Sequence, residues 1–207
     1  MIFKSIKVGR LATNCYILGC SETLEGAVVD PGDEADYILT IIEEENLKIK
    51  YIINTHGHSD HIGANKEVKK STGAQILIHG ADEKFLLEPK QNLSNYSQEP
   101  IIGPAADQLL SEGYLIKIGN SINLNVIHTP GHTPGSICLL GENFILTGDT
   151  LFAGSIGRTD LPGGSYDLII RSIKEKLLPL PNNLLVYPGH GPSSTLQKEK
   201  ETNSFLS

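Results

Sequence analysis

Cysteine is scarce in this chain. The three present, Cys15, Cys20 and Cys138, are odd in number and lack Cys-x-x-Cys spacing, which argues against a disulfide framework or a zinc ribbon. Each reads instead as a small buried apolar side chain. Basic residues are outnumbered, 17 Lys and Arg against 24 Asp and Glu, and the formal charge of −7 argues against a broad nucleic-acid footprint. The one basic cluster, Lys66, Lys69 and Lys70, reads as the solvated face of a helix. No apolar run approaches the ~20 residues of a membrane-spanning helix. Residues 2–8 alternate apolar and polar like an edge strand, without the continuous apolar stretch of a secretory leader. A cytoplasmic protein without membrane or nucleic-acid partners is expected. At 207 residues the chain suits one well-cored domain, 1–207.

Histidine is also limited, seven residues in all, yet three of them and an aspartate fall in one six-residue stretch, His56-Gly57-His58-Ser59-Asp60-His61. Neutral imidazoles and carboxylates are the groups that hold zinc, iron or manganese at neutral pH. A lone His-x-His is common on solvated loops; four such groups crowded together repel one another unless a cation sits among them. The stretch follows Tyr51-Ile52-Ile53-Asn54-Thr55, a β-branched run suited to a buried strand, so the side chains fall where strand gives way to loop. So short a stretch cannot easily give all four groups to one metal, whereas two adjacent metals could share them. Downstream, strand-like runs 125–128 and 184–187 lead to Thr129-Pro130-Gly131-His132 and Tyr187-Pro188-Gly189-His190, and the run 143–146 leads to Thr147-Gly148-Asp149. Pro-Gly favours a tight turn with Gly at positive φ, which redirects the next side chain. Four strands therefore each end by delivering ligand-type groups to a shared region.

Elsewhere the pattern predicts strands at 2–8, 15–19, 26–30 and 75–79, a helix over about 34–46 capped by Asp33, and a second over about 62–71 ended by Gly73. Strands resume from Tyr114 through Leu146. An amphipathic helix over 166–178 and a short one from about Leu196 follow. His79 and His128 lie outside the motif and read as hydrogen-bonded supporting or core residues. Residues 84–110 have turn residues but weak periodicity, and are expected to form a wall of the substrate cleft. Strand–helix order repeats in two halves, which suggests an α+β protein, a four-layer αβ/βα sandwich.

The order His-x-His-x-Asp-His, then His132, Asp149 and His190, resembles the metallo-β-lactamase superfamily over essentially the whole chain, from Val28-Val29-Asp30-Pro31-Gly32-Asp33 to Pro188-Gly189-His190-Gly191. Thr129-Pro130-Gly131-His132-Thr133-Pro134-Gly135-Ser136 and Gly157-Arg158-Thr159-Asp160 are similar to the type II glyoxalases (hydroxyacylglutathione hydrolases) and the related persulfide dioxygenases. The resemblance implies the same sandwich fold and two divalent ions, zinc first, with iron or manganese accepted. One ion would take His56, His58 and His132, the other Asp60, His61 and His190, with Asp149 bridging. Asp30 would support the metal loop by a hydrogen bond, with plain turn capping as the other reading. A β-lactamase of the common dinuclear type would carry Cys where Asp149 stands, which argues against antibiotic hydrolysis.

The implied reaction is hydrolysis of a small-molecule thioester such as S-lactoylglutathione by a metal-bridging hydroxide, with Asp60 orienting its proton. A thiolate leaving group, pKa ~8.5, requires no strong general acid. Full-length glyoxalases carry a glutathione-gripping helical region after the last ligand, whereas 191–207 is all that follows here, so that grip is expected to be missing. Arg158 is then a candidate anion contact, or a partner that pairs with Asp160 to brace its loop. Two other activities fit the motif. One is persulfide oxidation at a single iron held by His56, His132 and Asp149; the other is hydrolysis of a lactone or ester. A non-catalytic metal-binding scaffold is a further reading, disfavoured by the completeness of the ligand set.

Overall fold

The computed structural model describes residues 1–95 and 97–206; Tyr96, within the expected cleft-wall segment, lies outside them. Two six-stranded sheets pack face to face. The first runs in the order β1 (Ile2–Val8), β2 (Thr13–Gly19), β3 (Glu25–Val29), β4 (Lys48–Ile53), β5 (Gln75–His79), β6 (Gln108–Leu110). β1–β3 form an antiparallel meander, and β3–β6 are parallel. In the second sheet β7 (Leu115–Ile118), β8 (Ile122–His128), β9 (Ile137–Leu140) and β10 (Phe144–Gly148) are antiparallel neighbours. β13 (Leu185–Pro188) joins β10 in parallel and β14 (Ser194–Thr195) closes the edge. A small hairpin, β11 (Leu151–Phe152) and β12 (Ser155–Ile156), lies between.

Alternation sorts the apolar side chains into layers. Tyr16, Leu18, Val29, Ile53 and Leu77 face Ile118, Leu124, Val126, Leu139 and Leu146 between the sheets. From the opposite face of the first sheet, Ile17, Val28, Ile52 and Ile76 meet Ile38, Ile42 and Val68 of α1 (Ala35–Glu44) and α3 (Asn65–Thr72). From the second, Ile127, Ile145 and Val186 meet Ile169, Ile173, Leu177 and Leu196 of α4 (Tyr166–Ser172), the π-helical turn Ile173–Leu177, and the start of α5 (Leu196–Thr202). This is the four-layer αβ/βα sandwich. β2, buried along its whole length, reads as a continuous apolar run because both its faces are covered. All three cysteines are buried and free.

Some local expectations need correction. Asp33 does not cap α1: Glu34 occupies the N-cap in a left-handed conformation, and Asp33 Oδ1 accepts the Glu34 N–H at 2.7 Å. The helix expected over 62–71 is split into α2 (Ser59–Ile62) and α3, because the Ala64 N–H is drawn to Pro31 O at 2.9 Å. Asp60 and His61 therefore sit on a helical turn rather than a loop. Gly131 has positive φ as expected, but at the other Pro-Gly turn the left-handed residue is Gly191. Gly189 is required for close approach instead: a Cβ there would lie 2.1 Å from Asp149 Oδ1. The expected loop at 84–110 begins as a 3-10 helix, Gly80–Leu86, and ends in β6. Among the described residues no helix is long and apolar enough to cross a membrane.

Candidate metal centre

Four strand ends meet at one edge of the sandwich. His56 follows β4, His132 the turn after β8, Asp149 the end of β10 and His190 the end of β13. Donor atoms of His56, His58 and His132 lie within 4.8 Å of one another. So do those of His56, His61 and Asp149, and those of Asp60, His61 and His190. His56 and His61 are fully buried, His58 and His132 nearly so, while Asp60, Asp149 and His190 keep some exposure at the floor of a cleft.

Oxygen acceptors orient most of the rings. His61 Nδ1 donates to Asp30 Oδ2 at 3.0 Å, His132 Nδ1 to the Arg158 carbonyl at 2.8 Å, and His190 Nδ1 to the Leu11 carbonyl at 3.2 Å. Asp30 Oδ2 also accepts the Thr55 hydroxyl at 2.6 Å, which leaves Thr55 Oγ1 to accept from His56 Nδ1 at 3.2 Å. In the neutral ring a proton held on Nδ1 leaves the lone pair on Nε2, the state in which imidazole binds metal. Several inward nitrogens face one another or nothing at all. His58 Nδ1 lies 2.9 Å from His132 Nε2, and His61 Nε2 lies 3.3 Å from His190 Nε2. Among the described residues His56 Nε2, His58 Nε2 and Asp149 Oδ1 are buried without a hydrogen-bond partner. Unpaired buried polar atoms cost about 1–3 kcal/mol each. A divalent cation fits this donor set and removes that cost.

The electrostatics point the same way. Burial, reinforced by His61, His132 and the other rings, holds the His56 pKa well below the ordinary histidine value. Burial and His132 push His58 down to about 3. Burial acts against a charged His61 too, but Asp60, Asp149 and Asp30 prevail and hold it up at about 10. Burial opposes ionisation of Asp60, yet His61 and His190 keep its pKa below the usual carboxylate range. One half of the cluster thus favours neutral imidazoles and the other collects carboxylates around a cation.

The cleft above has a volume of about 460 Å³, with Leu11, Leu93, Phe152 and Leu161 as its apolar walls and Arg158 at its side. Leu93 belongs to the segment expected to line the cleft. Arg158 Nε and Nη2 donate to Asp160 Oδ1 and Oδ2 at 3.0 and 2.8 Å, so the exposed guanidinium braces its own loop while bordering the cleft. His79 and His128 stack on each other with centroids 3.9 Å apart, away from the cluster.

Several supporting residues escape a reading of the sequence. Thr13 Oγ1 donates to Asp60 Oδ2 at 3.2 Å. Asn14 Nδ2 and the Tyr16 hydroxyl donate to the Pro188 carbonyl at 2.9 and 2.6 Å, holding the turn before His190. Asn54 Nδ2 donates to the His61 carbonyl at 3.1 Å. Asp82 is fully buried and accepts three hydrogen bonds from the loops around His58 and His132. The available signal is a polar residue set inside or directly after an apolar strand, as with Asn14 and Asn54; Asp82 has none.

Residues 8–190 match the sequence pattern of the metallo-beta-lactamase superfamily. The hydroxyacylglutathione hydrolase GloC of Haemophilus influenzae is 37% identical over 211 residues, covering 100% of this chain and 98% of that protein. The crystal structure of the BLEG-1 B3 metallo-beta-lactamase is similar at a TM-score of 0.94 and 38% identity, covering 100% of both chains. That of TTHA1623 in a di-iron-bound form is similar at a TM-score of 0.88 and 32% identity, covering 98% of this chain and 100% of the other.

Proposed function

The chain belongs to the metallo-beta-lactamase superfamily and is a metal-dependent hydrolase, and from that premise we propose that it cleaves a thioester, S-(2-hydroxyacyl)glutathione first among them, to a thiol and a 2-hydroxy acid. The observation that carries this reading is the placement of Asp149. Its Oδ1 lies 3.5 Å from His61 Nε2 and its Oδ2 3.5 Å from His132 Nε2, so one carboxylate faces both halves of the cluster. Two ions, one held by His56, His58 and His132 and the other by Asp60, His61 and His190, would each find Asp149 within reach. Divalent cations bound there, zinc first, would supply Lewis acidity and lower the pKa of a bound water towards ~7.

The chain's own residues do the rest. Thr13 holds the Asp60 carboxylate in one orientation toward the cleft floor, where it can take a proton's hydrogen bond. Asp30, Leu11 and the Arg158 carbonyl keep the imidazole protons on the outer nitrogens. Leu11, Leu93, Phe152 and Leu161 reduce the water around a bound acyl group. Among the described lining residues Asp60 and Asp149 are the only acids, which suits a thiolate leaving group that needs no strong general acid. The exposed Arg158 offers an anionic carrier a contact at the rim.

The test is metal analysis of protein purified from its own host, paired with a substrate panel. Two ions per chain, with S-lactoylglutathione turned over faster than simple acyl thioesters, is the expected result. Equal rates on all thioesters would remove glutathione as the carrier. About one iron with oxygen uptake on glutathione persulfide would replace hydrolysis by oxidation. Because of the similarity to BLEG-1, the panel includes a β-lactam alongside a lactone. A β-lactam or lactone turned over faster than every thioester would overturn the thioester assignment.

A further inference from the structure

Two buried carboxylates support the cluster, and only one of them is tied to the loops that carry His58 and His132. Asp30 serves His61 directly and His56 through Thr55. Among the described residues Asp82 hydrogen-bonds no ring, yet its three hydrogen bonds go to the loops that carry His58 and His132. Oδ2 accepts the Gly57 N–H at 3.0 Å and the Thr133 hydroxyl at 2.7 Å, and Oδ1 accepts the Gly135 N–H at 2.6 Å. Gly57 lies between His56 and His58; Thr133 directly follows His132. These loops come from opposite sheets, and the 3-10 helix carrying Asp82 is wedged between them. Both glycines are shaped to it. A Cβ on Gly57 would lie 2.2 Å from Phe85 Cβ, and one on Gly135 would lie 2.6 Å from Asp82 Cγ. The same contact is reinforced nearby: His79, whose Nδ1 accepts the Ala81 N–H, stacks on His128, whose Nε2 donates to the Pro134 carbonyl.

We propose that Asp82 is a positioning residue for one half-site alone: by clamping the Gly57 and Thr133–Gly135 loops together it sets the separation of His58 and His132. This rests on those histidines being metal ligands, and not on the identity of the substrate. Asp82 is buried with no lysine or arginine among its partners in the described residues, so three donors satisfy its charge and leave it little freedom to turn. An asparagine in its place would aim an NH₂ at either Gly135 N–H or the Gly57 and Thr133 donors. At least one loop would be released. Asp60, His61 and His190 are held instead by Thr13, Asp30 and Leu11, none of which contacts Asp82.

The experiment uses the full chain, stripped with chelator and titrated with Co²⁺, comparing wild type, Asp82→Asn and Asp30→Asn. Absorption follows the two binding steps, and ¹⁵N-detected imidazole spectra of the metal-free protein report which rings have moved. Supporting contacts of this kind are worth about 10–100-fold in metal affinity. Asp82→Asn should weaken one step by that factor and leave the other within about threefold, with the His58 and His132 ring signals shifted and those of His61 and His190 unchanged. Asp30→Asn should shift the His61 signal, and the His56 signal through Thr55, instead of those of His58 and His132. Thr133→Val, which removes a single donor to Asp82, should act in the same direction by about 3–10-fold, and it decides the matter if Asp82→Asn does not fold. Equal weakening of both steps, or unchanged His58 and His132 signals in a folded variant, would overturn the assignment. Failure of the thioesterase reading would leave these outcomes untouched, since no substrate is used.

Discussion

Replacing Asn92 by alanine should loosen one wall of the cleft while removing no side-chain hydrogen bond to the proposed metal ligands. Asn92 is fully buried and uses its whole amide. Nδ2 donates to the carbonyls of Phe85 and Ile101 at 2.8 and 3.0 Å, and Oδ1 accepts from the Ser94 N–H and hydroxyl at 3.0 and 2.6 Å. Ser94 Oγ in turn accepts the Ile101 N–H at 2.8 Å, so one side chain ties 85, 94 and 101 into a closed loop. At about 1 kcal/mol net for each buried hydrogen bond, the four lost bonds are worth about 4 kcal/mol, lowered to about 2–4 where water reaches the freed groups. For a chain of this size about 3 kcal/mol corresponds to ~6–12 °C in Tm. Leu93, next in sequence and part of the cleft wall, should lose its position, raising KM with little change in kcat. Thermal unfolding, hydrogen exchange of the amides flanking residues 92–103, and steady-state kinetics measure the three effects. Asn92→Asp provides the control: it keeps the acceptor for Ser94 but opposes a carboxylate to two carbonyls, and should cost at least as much. A Tm within 2 °C of wild type for both variants, with exchange unchanged, would refute the reasoning.

Metal removal has a directional consequence as well: adding Zn²⁺ to chelator-treated protein at about 100 times its Kd should stabilise it by about 2.7 kcal/mol per site, and no Tm shift with zinc, manganese or ferrous ion would count against a metal centre. Glu199→Ala should destabilise the protein by about 3 kcal/mol and raise KM, because its buried carboxylate receives Ser194 Oγ, Gly154 N–H at 2.7 Å and Asn203 Nδ2 at 2.9 Å, and so holds the β11–β12 hairpin that presents Phe152; denaturant titration and KM measure it. The His79–His128 stack predicts a pH effect. Burial, then the neighbouring His128, pushes the His79 pKa down to about 4, whereas an unfolded histidine titrates near 6.5. Between those values the unfolded chain binds more protons, so stability should fall as pH drops from about 6.5 to 4. The ring is partly exposed and screened, so its share is on the order of 1 kcal/mol. His79→Gln should flatten the urea midpoint over that window relative to wild type, and parallel profiles would remove the stack as the cause.

Much of the sandwich was legible because its strands are buried on one or both faces and carry dense β-branched runs. β4, β8, β10 and β13 read as apolar runs, and each leads within four residues to a ligand-type residue. The shortest strands were not legible. β6, β11, β12 and β14 hold two or three residues each, too few for alternation to register, and they form because neighbouring backbone offers hydrogen bonds. The break between α2 and α3 was hidden for a related reason. Helical spacing continues through Gly63 and Ala64, but the carbonyl that captures the Ala64 N–H belongs to Pro31, more than thirty residues earlier.

The candidate site divides along the same physical line. His56, His58, Asp60 and His61 stand out because a cation requires several donors close together, and a short segment with three later strand ends can supply them. The groups that orient those donors meet no such requirement. A backbone carbonyl serves as well as a carboxylate, so Arg158 supports His132 through its oxygen while its side chain turns to Asp160. A sequence records the identity of Arg158 and nothing of where its carbonyl points. Asp82 lies 25 residues from Gly57 and 51 from Thr133, and the serviced groups are two N–H groups and one hydroxyl, available almost anywhere in a chain. What makes Asp82 specific is burial between opposite sheets, where a carboxylate must find every donor it needs within reach or remain unsatisfied. Dense chemistry is therefore written locally, whereas the forces that hold it in register arise only once the two sheets close on each other.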